Sequence, residues 1–122
     1  MPVAFIQEFK ISGGDRSTTN YDAGRAKLNL DDEPPDGLIV HTAGWDEAGG
    51  VFRIFGVWET REQAERFMRE RLQPMLDEGP ADPENAPAPD NQEMYELHDV
   101  ARGPGASTAA PSIGQSREGE FG

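Results

Sequence analysis

From the N-terminus, Val3, Phe5, Phe9 and Ile11 share one parity of an extended chain, with Gln7 the polar member of the set. Ala4, Ile6, Glu8 and Lys10 share the other. This period-two pattern predicts a strand over 3–11. Ser12-Gly13-Gly14-Asp15 has a turn composition, and Ser17 to Asn20 offers several helix N-caps. A short, weakly amphipathic helix over 20–28 follows, with Tyr21, Arg25 and Leu28 along one side. The segment Asp31 to Gly37, which contains Pro34 and Pro35, ends it.

The strongest pattern lies over 37–76. Leu38 to Ala43 and Val51 to Trp58 are apolar or β-favouring at almost every position, and the Gly-rich run Gly44 to Gly50 joins them into an antiparallel hairpin. On its second strand Phe52, Ile54, Gly56 and Trp58 occupy one face, and Val51, Arg53, Phe55 and Val57 the other. Both faces are largely apolar, so both need cover, from helices on one side and from a partner subunit or ligand on the other. Thr60-Arg61-Glu62-Gln63 fits a capping box. Ala64, Phe67, Met68, Leu72, Met75 and Leu76 then recur at helical spacing, with charged residues on the rest of the surface. Pro74 is expected to end or kink the helix after Leu72. A proline-rich loop from Asp77 to Asn91 precedes a last strand, Glu93 to Val100, with Met94, His98 and Val100 on one parity and Tyr95 and Leu97 on the other.

The order strand, helix, strand, strand, helix, strand is that of an α+β, ferredoxin-like βαββαβ domain with an antiparallel sheet. An apolar face left bare by the helices predicts a homodimer in which two sheets close on one another. Residues 1–101 are assigned to this domain. Residues 102–122 are rich in Gly, Ala, Ser and Pro and are expected to form a disordered tail, or a docking tether for a partner around Ile113 and Phe121.

Charge and composition narrow the partners. Eleven basic residues against 23 acidic ones give a net charge of -12, which repels nucleic acid and anionic membranes. No stretch approaches the roughly 18 apolar residues of a membrane span. The start of the chain lacks the basic and small-residue features of a signal peptide, so a cytoplasmic protein is expected. With no cysteine there is no disulfide, thiolate metal site or Cys nucleophile. No phosphate loop, dinucleotide fingerprint or nucleophile motif is present, and the two histidines lack metal-ligand spacing, so no metal or other cofactor is expected.

His41 and His98 are the candidates for proton transfer near neutral pH; the alternative for each is a hydrogen-bonded structural residue of a strand. Gln7, Trp58 and Tyr95 are candidate donors or walls of a small-molecule cavity, and Phe52 and Ile54 candidate apolar walls. The alternative for Gln7 is a satisfied core amide or a sheet-edge residue, and for Trp58 a packing residue. Arg53 is either a surface ion-pair partner or an anion clamp.

The segments Gly37 to Gly44, Val57 to Thr60 and Arg71 to Pro74, with His98 on a late strand and Tyr21-Asp22-Ala23 at the first helix, resemble the antibiotic-biosynthesis-monooxygenase type of dimeric α+β barrel protein. Among them the sequence is most similar to small bacterial members of unassigned activity. The resemblance spans about residues 3–100 and implies the ferredoxin-like fold, a dimeric barrel and one of two activities. Some relatives oxygenate aromatic polyketides without metal or flavin. Others degrade haem with an Asn on the first strand, a Trp before the second helix and a His on that helix. Gln7 and Trp58 stand at the first two positions, but Glu62 to Gln73 contains no His. The expectation is therefore a barrel that binds a small aromatic metabolite. It acts as a cofactor-independent monooxygenase or a related proton-transfer or cyclisation enzyme, or else as a non-catalytic ligand-binding or structural dimer.

Overall fold

The computed structural model describes residues 1–11 and 17–104. The turn expected at Ser12 to Asp15, and the tail from residue 105 onward, lie outside the described residues. The elements run β1 (Val3–Lys10), α1 (Thr19–Leu28), β2 (Leu38–Asp46), β3 (Val51–Trp58), α2 (Arg61–Phe67), a π-helical turn (Met68–Leu72), α3 (Gln73–Asp77), a 3-10 turn (Pro83–Asn85) and β4 (Asn91–Glu96). The strands form one four-stranded sheet in the order β2-β3-β1-β4. β1 pairs antiparallel with β3 and β4, and β2 antiparallel with β3, the ferredoxin-like arrangement that the element order predicts.

Register assigns the two faces. Val3, Phe5, Gln7 and Phe9 of β1 lie opposite Trp58, Gly56, Ile54 and Phe52 of β3, so these residues share a face. That face is the helix side: Val3, Trp58 and Ala64 of α2 form a buried cluster against which Phe5, Leu38, Phe67 and Met94 pack. Trp58, 4% exposed, sits with its ring centroid 5.1 Å from that of Phe67. Residues of the other parity, among them Ile6, Glu8, Arg53 and Phe55, face away from the helices.

The hairpin contains a feature that parity alone does not reveal. Leu38 pairs with Trp58 and Val40 with Val57, a register shift that opens a β-bulge at the start of β2. Beyond it His41 pairs with Gly56 and Ala43 with Ile54. The bulge thus brings His41 onto the same face as Leu38, although the two are three positions apart.

The second helical segment begins as expected. Thr60 Oγ1 accepts from the Gln63 backbone N–H at 3.1 Å, and its hydroxyl donates to Gln63 Oε1 at 3.1 Å. Gly37 adopts φ 89°, and a Cβ there would collide with the Gln63 side chain, so glycine meets both a backbone and a packing requirement. The helix does not end at Leu72. Pro74 has no N–H and its ring would crowd the carbonyl four residues back, but the wide turn at Met68–Leu72 precedes it and the helical path continues as α3.

The two helical segments meet at small and capping residues. A Cβ on Gly24 would lie 3.1 Å from Met75 Cε, so the glycine permits α1 to approach α3 closely. Arg71 Nη2 donates to the Leu28 carbonyl at 2.5 Å and satisfies an orphan acceptor at the end of α1. After β4 the chain returns to the end of β3, where Arg102 Nη2 donates to Glu59 at 2.5 Å. The strand expected to continue to Val100 stops at Glu96.

Candidate functional site

The site grows from α1 and the bulged end of β2. Tyr21 stands in the first turns of α1, on the side that faces the sheet. Its hydroxyl lies 2.9 Å from Nε2 of His41, and the two rings are nearly coplanar, at 4°. Phe52 packs edge-on against Tyr21, with centroids 5.6 Å apart, and Trp45 leans on Phe52 at 4.7 Å. Arg25, one helical turn beyond Tyr21, sets its positive charge near the phenol and is held by Asp31 at 3.1 Å.

With the phenol protonated and the imidazole neutral, the Tyr21 hydroxyl can donate to His41 Nε2. In that arrangement His41 carries its own proton on Nδ1. Burial, and next the positive charge of Arg25, hold the His41 pKa below its ordinary value of 6.5. The imidazole is therefore neutral near pH 7 and able to take a proton. Burial raises the Tyr21 phenol above its ordinary value of 10.0, which keeps it protonated.

Trp58 borders the same place. The edge of its indole that carries Nε1 lies over Gly56, 3.3 Å from where a Cβ would stand, and Gly56 is the cross-strand neighbour of His41. Among the described residues no hydrogen bond engages this indole N–H, although Trp58 is buried. A buried donor without a partner is uncommon in native proteins. Here it lies over the cross-strand neighbour of a half-buried base.

The candidate residues divide between the faces. His41, Trp58, Phe52, Ile54 and Gln7 lie on the helix side, and Gln7 Nε2 donates to Gln92 Oε1 at 2.9 Å. Arg53 and Tyr95 lie on the opposite face. Arg53 is held there between Glu8 (2.6 Å) and Asp46 (3.1 Å), which makes it an ion-pair partner rather than an anion clamp. His98 does not join His41. It follows β4, at the far edge of the sheet from β2, and is exposed. Tyr21 and Arg25 complete the site, and neither was singled out for chemistry by pattern; the signal was that Tyr21 stood on the same side of its helix as Arg25 and Leu28.

Two surface depressions are lined by other residues. One, of about 240 Å³, is bordered by Thr42, Gly44, Asp46, Arg53 and Phe55; the other, of about 210 Å³, lies between Pro35, Gln63, Phe67 and Arg71. Neither includes His41. Among the described residues no group of three or more His, Asp or Glu side chains is placed to hold a metal ion, and no helix is long and apolar enough to cross a membrane.

No protein-family model matches the sequence, and no curated protein matches it. Solved structures do match the fold. Rv0793 from Mycobacterium tuberculosis is similar with TM-score 0.58 and 17% identity, over 83% of this chain and 99% of that one. SnoaB, a cofactor-independent oxygenase from Streptomyces nogalater, is similar with TM-score 0.54 and 12% identity, over 81% and 95%. A protein of Chloroflexus aurantiacus J-10-fl, provisionally named an antibiotic biosynthesis monooxygenase, gives TM-score 0.52 and 17% identity, over 83% and 97%. At these identities the likeness is one of fold, and the chain has the ferredoxin-like α+β fold of the antibiotic-biosynthesis-monooxygenase-like proteins.

Proposed function

We propose that the protein binds a small phenol or enol between α1 and the sheet and removes a proton from it through Tyr21 and His41, as the first step of a cofactor-independent oxygenation. The observation that carries this reading is the 2.9 Å hydrogen bond between the Tyr21 hydroxyl and a neutral, half-buried His41. As the substrate hydroxyl gives up its proton, the Tyr21 oxygen takes it and passes its own proton to Nε2. Tyr21 ends neutral and His41 ends as imidazolium. The Trp58 N–H and the Arg25 guanidinium are the donors available to the resulting anion.

The anion then reduces O2. Conversion of an activated methylene to a carbonyl releases four electrons and two hydrogens; one oxygen atom enters the product and the other leaves as water, so no external reductant is required. The fold shared with SnoaB supports this class of reaction. Oxygen uptake should be measured with enolisable polycyclic phenols, using wild-type protein, His41→Ala and Tyr21→Phe. Loss of general-base catalysis costs about 10²–10⁴ in rate, and His41→Ala should lose turnover on that scale while its melting transition persists. Unchanged turnover in His41→Ala would move the base elsewhere.

The protein is read as a homodimer. Val40 and Tyr95 are each 43% exposed on the face opposite the helices, beside Ile6 and Phe55. Light scattering of the 13.4 kDa chain should return twice the monomer mass, and Phe55→Asp should reduce it to one. A second reading, a non-catalytic dimer, draws on the packing of Trp58 and Phe67, which fills the space beneath α2 with side chains. That reading predicts no uptake with any substrate and no titratable ligand. A cytoplasmic location and a tail that tethers a partner belong to this proposal equally.

A further inference from the structure

At the end of the sheet where Phe9 pairs with Phe52, three pieces of chain come together: the start of α1, the end of α3 and the start of β4. The proline-rich loop from Gly79 to Asp90 joins the last two. Its far end is held by backbone, since Asp90 N–H donates to the Glu8 carbonyl at 2.8 Å and Asp90 Oδ2 accepts from Lys10 N–H at 2.7 Å. Pro80, Pro83, Pro87 and Pro89 deprive the loop of four backbone donors, so it cannot make a regular ladder with its neighbours.

Asn20 of α1 ties the middle of the loop to that helix. Asn20 Nδ2 donates to the Asp82 carbonyl at 3.0 Å, and Asn20 Oδ1 accepts from the Asp82 N–H at 2.6 Å. The amide thus grips one peptide position of the loop with both of its polar ends. Asn20 directly precedes Tyr21, so the grip lies one residue from the phenol that bonds His41. Asp82 also accepts from the Glu84 N–H at 3.3 Å, which stiffens the gripped turn.

We infer that the Gly79–Asp90 loop is a strap held across the start of α1, and that Asn20 is its latch, controlling access of small molecules to His41. Prolines restrict how the strap moves, so it swings on its ends when the latch opens. The backbone anchors at Asp90 remain, and the strap returns to the same place. The inference rests on the helix side being the ligand side. Its test reads access to the imidazole without turnover, so failure of the catalytic reading leaves it intact.

The test uses full-length protein, amide hydrogen exchange, and diethyl pyrocarbonate as a probe of neutral imidazole. His98, exposed at the other edge of the sheet, is the internal reference. In Asn20→Ala, loss of two hydrogen bonds should speed exchange in the 80–90 segment and acylation of His41 by about tenfold each, with His98 unchanged. Asn20→Asp retains an acceptor for the Asp82 N–H and should fall between the two. Lys27→Ala, which removes an exposed pair with Glu78, should leave His41 at its wild-type rate. Unchanged exchange in Asn20→Ala would show that Asn20 is no latch. Faster exchange with an unchanged His41 rate would show that the strap does not guard the site, and an equal effect of Lys27→Ala would remove Asn20's particular role.

Discussion

Tyr21→Phe tests the proton arrangement with little disturbance to packing. The ring remains, so its edge-on contact with Phe52 at 5.6 Å survives and no cavity opens. What is lost is a phenol that bonds His41 at 2.9 Å. A hydrogen bond of this kind contributes about 1 kcal/mol net, and the site is only half-buried, so the stability loss should stay near that figure. For a chain of this length that loss lowers the melting temperature by roughly 3–6 °C. The informative change is in titration. A phenol that donates to Nε2 favours neutral imidazole, so its removal should raise the His41 pKa.

Carbon-detected imidazole titration measures this directly, and the two histidines of the sequence give two separable signals. Nitrogen shifts of wild-type His41 should report Nδ1–H with Nε2 unprotonated below the Tyr21 hydroxyl. Arg25→Gln should also raise the His41 pKa, by removing a neighbouring positive charge. Finding the proton on Nε2, or a His41 titration unmoved by Tyr21→Phe, would refute the hydrogen-bond direction and with it the role of Tyr21 as a relay.

The remaining expectations are simpler. His41 has a folded-state pKa below its unfolded value. The unfolded chain therefore binds more protons between the two, and stability should fall as pH drops below about 6.5; thermal melts across pH 4.5–8 should show this decline, and His41→Gln should lack it. A separate loss should come at lower pH. The Arg53 hydrogen bond at Glu8, and the Gly49 backbone bond followed by Arg53 at Asp46, hold both carboxyls below their ordinary values; Arg53→Met should bring them back toward those values and flatten that acid limb. Trp58→Ala removes the largest side chain of the core cluster and should cost about 3–5 kcal/mol in urea unfolding; a loss below about 1 kcal/mol would mean that the indole does not hold the helices to the sheet. Gly37→Ala meets both a positive φ and the Gln63 side chain, and should cost more than about 1 kcal/mol, with Gln63→Ala partly relieving it.

Most of the fold was legible because it depends on local rules. Alternation marked β1, the hairpin and its Gly-rich turn were apparent from composition, and Thr60 with Gln63 marked the start of α2. The misses have separate physical causes. Pro74 is tolerated because a π-helical turn comes before it, and nothing in the local residues announces that widening. The last strand ends at Glu96, short of His98, because the chain then turns back toward β3, where Arg102 meets Glu59. This return depends on a pairing between residues 43 positions apart.

The site was legible only in part. Neighbours on a strand point to opposite faces, so Arg53 could never share a surface with Phe52 and Ile54. The parity of β3 had already separated them, and the structure gives Arg53 its own work, between Glu8 and Asp46. His41 is a different case. Counting back from Ala43 in steps of two puts His41 and Ile39 on one face and Leu38 on the other. The bulge between Leu38 and Val40 cancels that count, and Leu38 and His41 then both face the helices. Such a bulge disrupts the ladder locally, and bulges recur where a side chain must be re-aimed. Here the re-aimed side chain is the imidazole, and what it meets is a tyrosine 20 positions earlier in the chain, on a helix of weak amphipathic character. No pattern within either segment encodes that meeting. It exists because the βαβ crossing lays α1 over β2 and β3, and because the bulge turns His41 toward that helix, with Gly56 opposite it leaving room for the edge of the Trp58 indole.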